Sequence, residues 1–389
     1  MSVIKKIVIA INRVYTKSLN LGIKIMYRLQ YDKLYRKHRP NFSCKISKED
    51  IKNYKKNWEP LCNKPDIKSF KLFSQYIGPN PRILPEDICA TIINPLLNPA
   101  DTKPYFQDKN MFEKILPKQF LPKTIIRMVD GVLQDSEYLH ILGCDLKNFL
   151  DNNTKEVNKI FIKPALDSSS GKGVIAFKRD LAENLINPDY GVFDENFINN
   201  YSKTTKNWIV QEGLSQDSYI SQFNPTSINT LRLSTYRSVK DNASHVTSAI
   251  LRIGKKGTDI DNAHAGGIFI GVDENGKLAR FACDQFGNKY DCFNGLSFKN
   301  TEFIIPNFKE IKDFARSVAD HIPYHRLLAQ DICIKEDCTP CLIEYNIRAY
   351  SMWLFQFTIG PALGNFTEEI IEYCKTRKKE INKVIVEPF

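Results

Sequence analysis

The stretch that most constrains this chain is Lys159 to Lys178, KIFIKPALDSSSGKGVIAFK. A β-rich run ending in a lysine is followed by a polar Ser/Gly loop and a second β-rich run, which together read as a hairpin. Small side chains let a loop backbone come close to a ligand, and its N–H groups can fold over a phosphate chain. Gly171-Lys172-Gly173 lacks the Gly-x-x-x-x-Gly-Lys-Ser/Thr spacing, and no helix pattern follows at once, so this is not a Walker loop. Nor does it carry the Gly-x-Gly-x-x-Gly fingerprint that opens a helix at a dinucleotide site. An ordinary hairpin turn uses the same residues, and the loop alone leaves both readings open.

A second stretch, Ala329 to Arg348 (AQDICIKEDCTPCLIEYNIR), narrows the choice. Asp331 sits in one β-like run, and Glu344 and Asn346 sit two residues apart in the next. Alternation puts Glu344 and Asn346 on one face, and a hairpin brings Asp331 beside them. Ile343 and Tyr345 then face the packed side. Three converging oxygen ligands suit Mg²⁺ held between protein groups and substrate phosphates.

With these two stretches the sequence resembles the ATP-grasp superfamily, and its branch associated with sugar transfer and surface-polysaccharide gene clusters. The resemblance runs from about Asp108 to Cys374 with the motifs in family order. It implies ATP and Mg²⁺, two ions, as cofactors. Lys109 is similar to the family's first nucleotide lysine and Lys163 to the second, while Ser168, Ser169, Ser170, Gly171 and Gly173 resemble its mobile phosphate loop. WIVQEGL, Trp208 to Leu214, resembles the hinge strand that reads adenine, with Gln211 and Glu212 near the exocyclic amine and Leu214 beside the ring. SINTLRLSTY and DNAHAGGIFI resemble the branch's own signatures. The carboxylate that many members use for the ribose corresponds to Asp217, or to Gln216 if an amide does the job. The implied fold is α+β: two lobes with antiparallel sheets clamping ATP, preceded by a helical basic extension.

The net charge of +11 is uneven. Residues 1–60 hold 15 Lys or Arg against 4 Asp or Glu, which leaves the rest of the chain balanced at 40 against 40. Ser2 to Arg39 mixes Ile, Val, Leu and Tyr with lysines and arginines. Two readings stand: a basic amphipathic helix on an anionic membrane surface or a polysaccharide-assembly protein, or a helix packed on the main body with its lysines solvated. No nucleic-acid motif accompanies the charge, and no nucleic-acid partner is expected. No apolar run reaches the length of a membrane span, and no signal peptide is read, so the expected location is cytoplasmic or peripheral on the inner face of the cell membrane. The ten cysteines are then expected as reduced thiols. Cys338-Thr-Pro-Cys341 lacks the second pair that a structural zinc needs and falls where the hairpin turns.

The spacing predicts a helix over Ile46 to Trp58 with Ser47 and Asp50 as a capping box. Short helices and turns are expected over Phe70 to Pro104, a helix over Asn110 to Leu116, a strand over Ile125 to Val132 and a helix over Glu137 to Leu150. Strands follow at Ile228 to Arg237, His245 to Ile253, Gly267 to Asp273 with Lys277 to Asp284, and Leu327 to Arg348. Helices are expected over Ile311 to His321 and Phe366 to Lys379. The domain reading is a basic extension (1–60), the N-terminal part of the cleft (61–107), a nucleotide-binding lobe (108–215) and a lobe with the metal site and a C-terminal helix (216–389).

Phosphoryl transfer needs charge neutralisation and alignment more than covalent help. Lys109 and Lys163 would hold the phosphates, and Arg232 and Arg252 lie on strands where a fixed guanidinium can meet the phosphoryl group or its acceptor. An ion pair at the sheet edge is the alternative for both arginines. His264 suits a base for an attacking amine, a donor to sugar hydroxyls, or a structural turn residue. Arg348 shares the face of Asn346 and can meet an acceptor carboxylate. Three functions follow: a carboxylate–amine ligase acting on a sugar acid or amino acid in capsule or surface-glycan synthesis, a sugar kinase using the same nucleotide site, and a non-catalytic nucleotide-binding scaffold. The glycan setting comes from the resemblance alone.

Overall fold

A computed structural model of the chain describes residues 3–166, 173–257, 266–348 and 350–380. It opens with one long helix, α1 (Val3–His38), followed by α2 (Lys48–Trp58), α3 (Ile67–Ile77) and a short turn α4 (Glu86–Ile88). The capping box of α2 is present in both directions: Asp50 N donates to Ser47 Oγ at 3.0 Å, and Ser47 N donates to Asp50 Oδ2 at 2.8 Å. Further short helical turns carry the chain to Gln107.

The first sheet contains β1 (Thr124–Val129), β2 (Val132–Asp135), β3 (Lys159–Pro164), β4 (Ile175–Arg179), β5 (Leu185–Asn187), β6 (Gly191–Val192) and β7 (Trp208–Glu212). Their spatial order is β2-β1-β7-β3-β4-β5-β6, with each neighbouring pair antiparallel. β3 and β4 form the hairpin expected around the Ser/Gly loop, pairing Ile160 with Phe177. One face buries Ile126, Ile160, Ile162 and Val210 with Leu150 and Ile198 of the helices Leu146–Thr154 and Glu195–Thr204. Lys163 and Gln211, one residue out of phase with that set, lie on the other face.

The second sheet contains β8 (Leu231–Arg237), β9 (Ser244–Ile253), β10 (Ile268–Val272), β11 (Leu278–Cys283), β12 (Lys289–Tyr290), β15 (Leu327–Ile334) and β16 (Pro340–Asn346). Its order is β12-β11-β10-β9-β8-β15-β16, while β13 (Cys292–Phe293) and β14 (Leu296–Ser297) form a separate ribbon. One face packs on the helix Phe308–Asp320 through Leu231, Leu251, Leu328 and Ile332. The other buries Ile250, Phe269, Leu327 and Ala329 against residues of α1 to α3 and the helix Thr367–Arg377. This helical layer therefore covers one face of the second sheet. The α+β expectation, with two antiparallel sheets and a helical start, matches what is observed.

The strand expected over Ile125 to Val132 ends at Val129, where Asp130 (φ 49°) and Gly131 (φ 82°) turn the chain back into β2, and one helix starts late. The helix expected from Glu137 begins only at Leu146. Asp135 Oδ1 accepts from Glu137 N at 2.8 Å and Leu139 N at 2.9 Å, and this side-chain turn leaves Tyr138 at φ 65°. The carboxylate competes with the first helical turn for the same N–H groups. Among the described residues, no helix is long and apolar enough to cross a membrane.

Candidate functional site

Lys109 opens a 3-10 turn, Lys109–Met111, capped by Asp108 Oδ1, which accepts from Asn110 N at 2.9 Å. The turn is held from three sides. Lys109 N donates to Ala165 O at 3.1 Å, just past β3, and buried Asn110 donates Nδ2 to Met128 O at 2.9 Å. Arg127, also buried, donates Nη1 to Asn110 O at 2.8 Å and pairs with Glu113. Lys109 Nζ consequently stands 3.5 Å from Glu344 Oε2 on β16, the edge strand of the second sheet. Lys163 lies close to both: burial, then the charge of Lys109, pull its pKa down to about 8, and Glu344 opposes the shift. Lys109 and Lys163, held beside the first sheet, thus approach Glu344 on the second.

Glu344 is set by the hairpin of β15 and β16. The register pairs Asp331 with Glu344 and Ala329 with Asn346, as the alternation argument requires. Between Asp331 and Ile332 the register slips, and Ile343 is the extra residue of a bulge. Tyr345 faces the packed side, its ring stacked on Phe112 at 4.5 Å.

The carboxylate of Asp331 is occupied differently from the sequence expectation. Arg232 Nε and Nη2 donate to its two oxygens at 2.7 and 2.6 Å, and Arg252 Nη1 donates to Oδ2 at 3.1 Å. Burial raises the Asp331 pKa, but the two guanidinium groups outweigh it and hold the carboxyl below its usual range. Both arginines therefore pair with Asp331 inside the sheet, on β8 and β9, and not at its edge.

A magnesium ion fits what remains. Among the described residues, no three His, Cys, Asp or Glu side chains form a ready metal cage. Mg²⁺ in nucleotide sites commonly takes only one or two protein carboxylates beside phosphate oxygens. Glu344 is partly exposed, and the Asn346 amide has a buried Nδ2 with no hydrogen-bond partner. Since amide oxygen and nitrogen interchange by a simple flip, Asn346 can present its oxygen there.

The hinge follows β7. Gly213 N donates to Lys159 O at 2.7 Å, and a Cβ at Gly213 would lie 2.9 Å from Lys159 Cβ, so the chain passes too close for a side chain. Gln211 is buried on the Lys163 face and donates Nε2 to Pro122 O at 3.3 Å, while Glu212 lies at the rim with Lys123 Nζ 4.0 Å away. Leu214 is half-buried. Asp217 caps a helical turn, accepting from Tyr219 N and Ile220 N at 3.0 and 3.1 Å. Gln216 donates to Asn224 O and Ser227 O and accepts from Asn229 N. Both candidates for the ribose therefore have structural partners. Ser168, Ser169, Ser170, Gly171 and His264 lie outside the described residues. Gly173 has φ 78°, and a Cβ there would meet Pro164 Cγ at 2.9 Å.

The sequence reading passed over Glu86. It is buried on α4, and its Oε1 has no partner. Burial, then the charge of Asp87, push its pKa up to about 8, against a hydrogen bond from the Trp353 backbone. The same surroundings raise the Tyr27 phenol through burial and Glu86, with Arg348 opposing. Glu86 thus shares a neighbourhood with Arg348, two residues beyond Asn346. Its only sequence signal was an acidic pair in the apolar run ILPEDI.

The sequence matches the profile of the sugar-transfer associated ATP-grasp family over residues 90–372. The chain belongs to this family. No curated protein sequence gave a significant match. Solved structures similar to this ATP-grasp chain include the biotin carboxylase domain of a 2-oxoglutarate carboxylase from Hydrogenobacter thermophilus, bound to MgADP, ADP and bicarbonate. The pair shares 10% identity at a TM-score of 0.41, covering 72% of this chain and 47% of that one. The D-cycloserine synthetase DcsG shares 13% identity at a TM-score of 0.38, covering 72% and 73%. The D-alanine–D-alanine ligase of Coxiella burnetii shares 11% at 0.39, covering 74% and 62%. The chain thus spans about half of the carboxylase and under two thirds of the D-alanine ligase.

Proposed function

We propose that this ATP-grasp protein is an ADP-forming ligase that activates a carboxylate as an acyl phosphate and couples it to an amine. The observation that carries the reading is the meeting of Lys109 and Lys163 with Glu344 across the cleft. In this reading the two lysines neutralise a triphosphate, and Glu344 and Asn346 hold its metal. Mg²⁺, as one or two ions, supplies charge neutralisation on the phosphates when bound. Asp331 acts in this reading chiefly by fixing Arg232 and Arg252.

The reaction has two balanced steps. A carboxylate oxygen bonds to the γ-phosphorus as the bond to the β–γ bridging oxygen breaks, which gives acyl phosphate and ADP. The amine nitrogen then bonds to the carbonyl carbon, phosphate leaves with the bonding pair, and the nitrogen loses a proton, with His264 the proposed base. Arg348, near buried Glu86, is proposed to meet the acceptor. The family's association with sugar transfer supports a sugar acid or amino acid as substrate, in capsule or cell-surface polysaccharide synthesis.

The test incubates the protein with Mg²⁺-ATP, hydroxylamine and a panel of sugar acids and amino acids, with Glu344→Gln as control. ADP with hydroxamate, both lost in the variant, is the expected result and names the carboxylate. ADP without hydroxamate in the presence of a neutral sugar overturns the ligase in favour of a kinase.

A further inference from the structure

α1 has two apolar faces. The inner one is ordinary: Ile23 and Tyr31 are buried, Tyr31 meets Phe73 with ring centroids 5.5 Å apart, and Arg28 Nε pairs with Asp87 Oδ2 at 2.8 Å. Its last turn is pinned by His38 Nε2, 2.7 Å from Phe286 O. The outer face is not. Ile4, Ile7, Val8, Ile11, Val14 and Tyr15 recur at helical spacing on the side away from the core, all exposed, and the stripe continues to Leu29 at 63% exposure. From Ile4 to Leu29 it is roughly 38 Å long at 1.5 Å per residue. A continuous exposed apolar stripe of that length marks a surface that something covers.

The charges identify the occupant. At 100° per residue, Lys6, Arg13, Lys17 and Lys24 run along one border of the stripe, and no Asp or Glu occurs before Asp32. A second copy of α1 would bring these basic rows together with no acid to answer them, where paired helices normally place opposite charges beside the seam. A bilayer carrying anionic lipid answers both features: its acyl boundary takes the apolar stripe, and its headgroups take the lysines, whose long stems reach outward. We propose that the outer face of α1 docks on an anionic lipid surface, lying in its plane. The inference is independent of the nucleotide chemistry.

The full chain is sedimented with vesicles of phosphatidylcholine alone and of an equimolar mixture with phosphatidylglycerol. The expected result is pelleting with the mixed vesicles only, weakened by raised salt. It falls at least about tenfold in the double variant Ile7→Asp/Ile11→Asp, which keeps wild-type ATP binding because both positions face solvent. Charge reversal by Lys6→Glu with Lys17→Glu weakens it similarly. Equal pelleting with neutral vesicles, or pelleting indifferent to the Asp substitutions, overturns the proposal. So does absence of pelleting altogether; a dimer that the Asp substitutions dissolve would then assign the stripe to a second copy.

Discussion

Two charge clusters in this protein differ in how far water reaches the carboxylate at their centre. In the first, Asp331 receives two donors from Arg232 and one from Arg252, and all three side chains are largely withdrawn from water. In the second, Lys109 and Lys163 share the vicinity of one partly exposed carboxylate at 3.5 Å from Lys109, and burial lowers the Lys163 pKa. In the first, both carboxylate oxygens have guanidinium donors. The second sits against a carboxylate that water still reaches. A buried, fully paired charge can serve packing alone, whereas a lysine whose pKa burial pulls down is a stronger pointer to a binding site.

The sharpest break of this contrast is Asp331→Ala. Removing one partner of a buried cluster leaves the others uncompensated, and the expected loss is about 3–5 kcal/mol of stability in denaturant unfolding. A loss below about 1 kcal/mol would mean that the arginines find water. Glu86 offers the next test. Its carboxyl titrates near 4.5 when free and at about 8 in the fold, so the folded state holds the proton more tightly. Wild-type stability relative to Glu86→Gln is therefore highest below about pH 4.5 and falls by on the order of a few kcal/mol as pH rises through 8. Parallel melting profiles for the two proteins would refute this.

Lys163→Met is expected to do the opposite of Asp331→Ala, leaving stability unchanged or improved while weakening ATP binding by roughly 10- to 100-fold. Equal damage to both quantities would erase the distinction between the clusters. The smallest effect is protonic. Burial pulls the Lys163 pKa down to about 8, so ATP binding near that pH is expected to be accompanied by proton uptake. Calorimetry in buffers of different ionisation enthalpy reads that uptake; none at pH 8 would place Lys163 away from the phosphates.

Much of the fold was legible because local pattern sufficed. The hairpins around the Ser/Gly loop and around Thr339-Pro340, the cap at Ser47 and the phase that joins Glu344 to Asn346 all follow from residues near in sequence. The partners of Asp331 were not legible. Arg232 meets it only because β8 pairs with β15 across 99 residues, and nothing local sets that register. The structural duties of Gln216 and Asp217 were hidden likewise, since a cap and a free carboxylate look alike in a sequence. In α1 the basic charge was plain, yet two apolar faces on opposite sides of one helix blur into an evenly hydrophobic run.

The continuity of α1 has one more consequence. A flexible linker fixes how far a protein can stray and leaves it free to turn. An unbroken helix, roughly 54 Å long for 36 residues and clamped to the body along its second half, transmits heading as well as reach. Whatever grips the first half of α1 therefore also sets the heading of the second sheet, which packs against the helical layer that α1 belongs to.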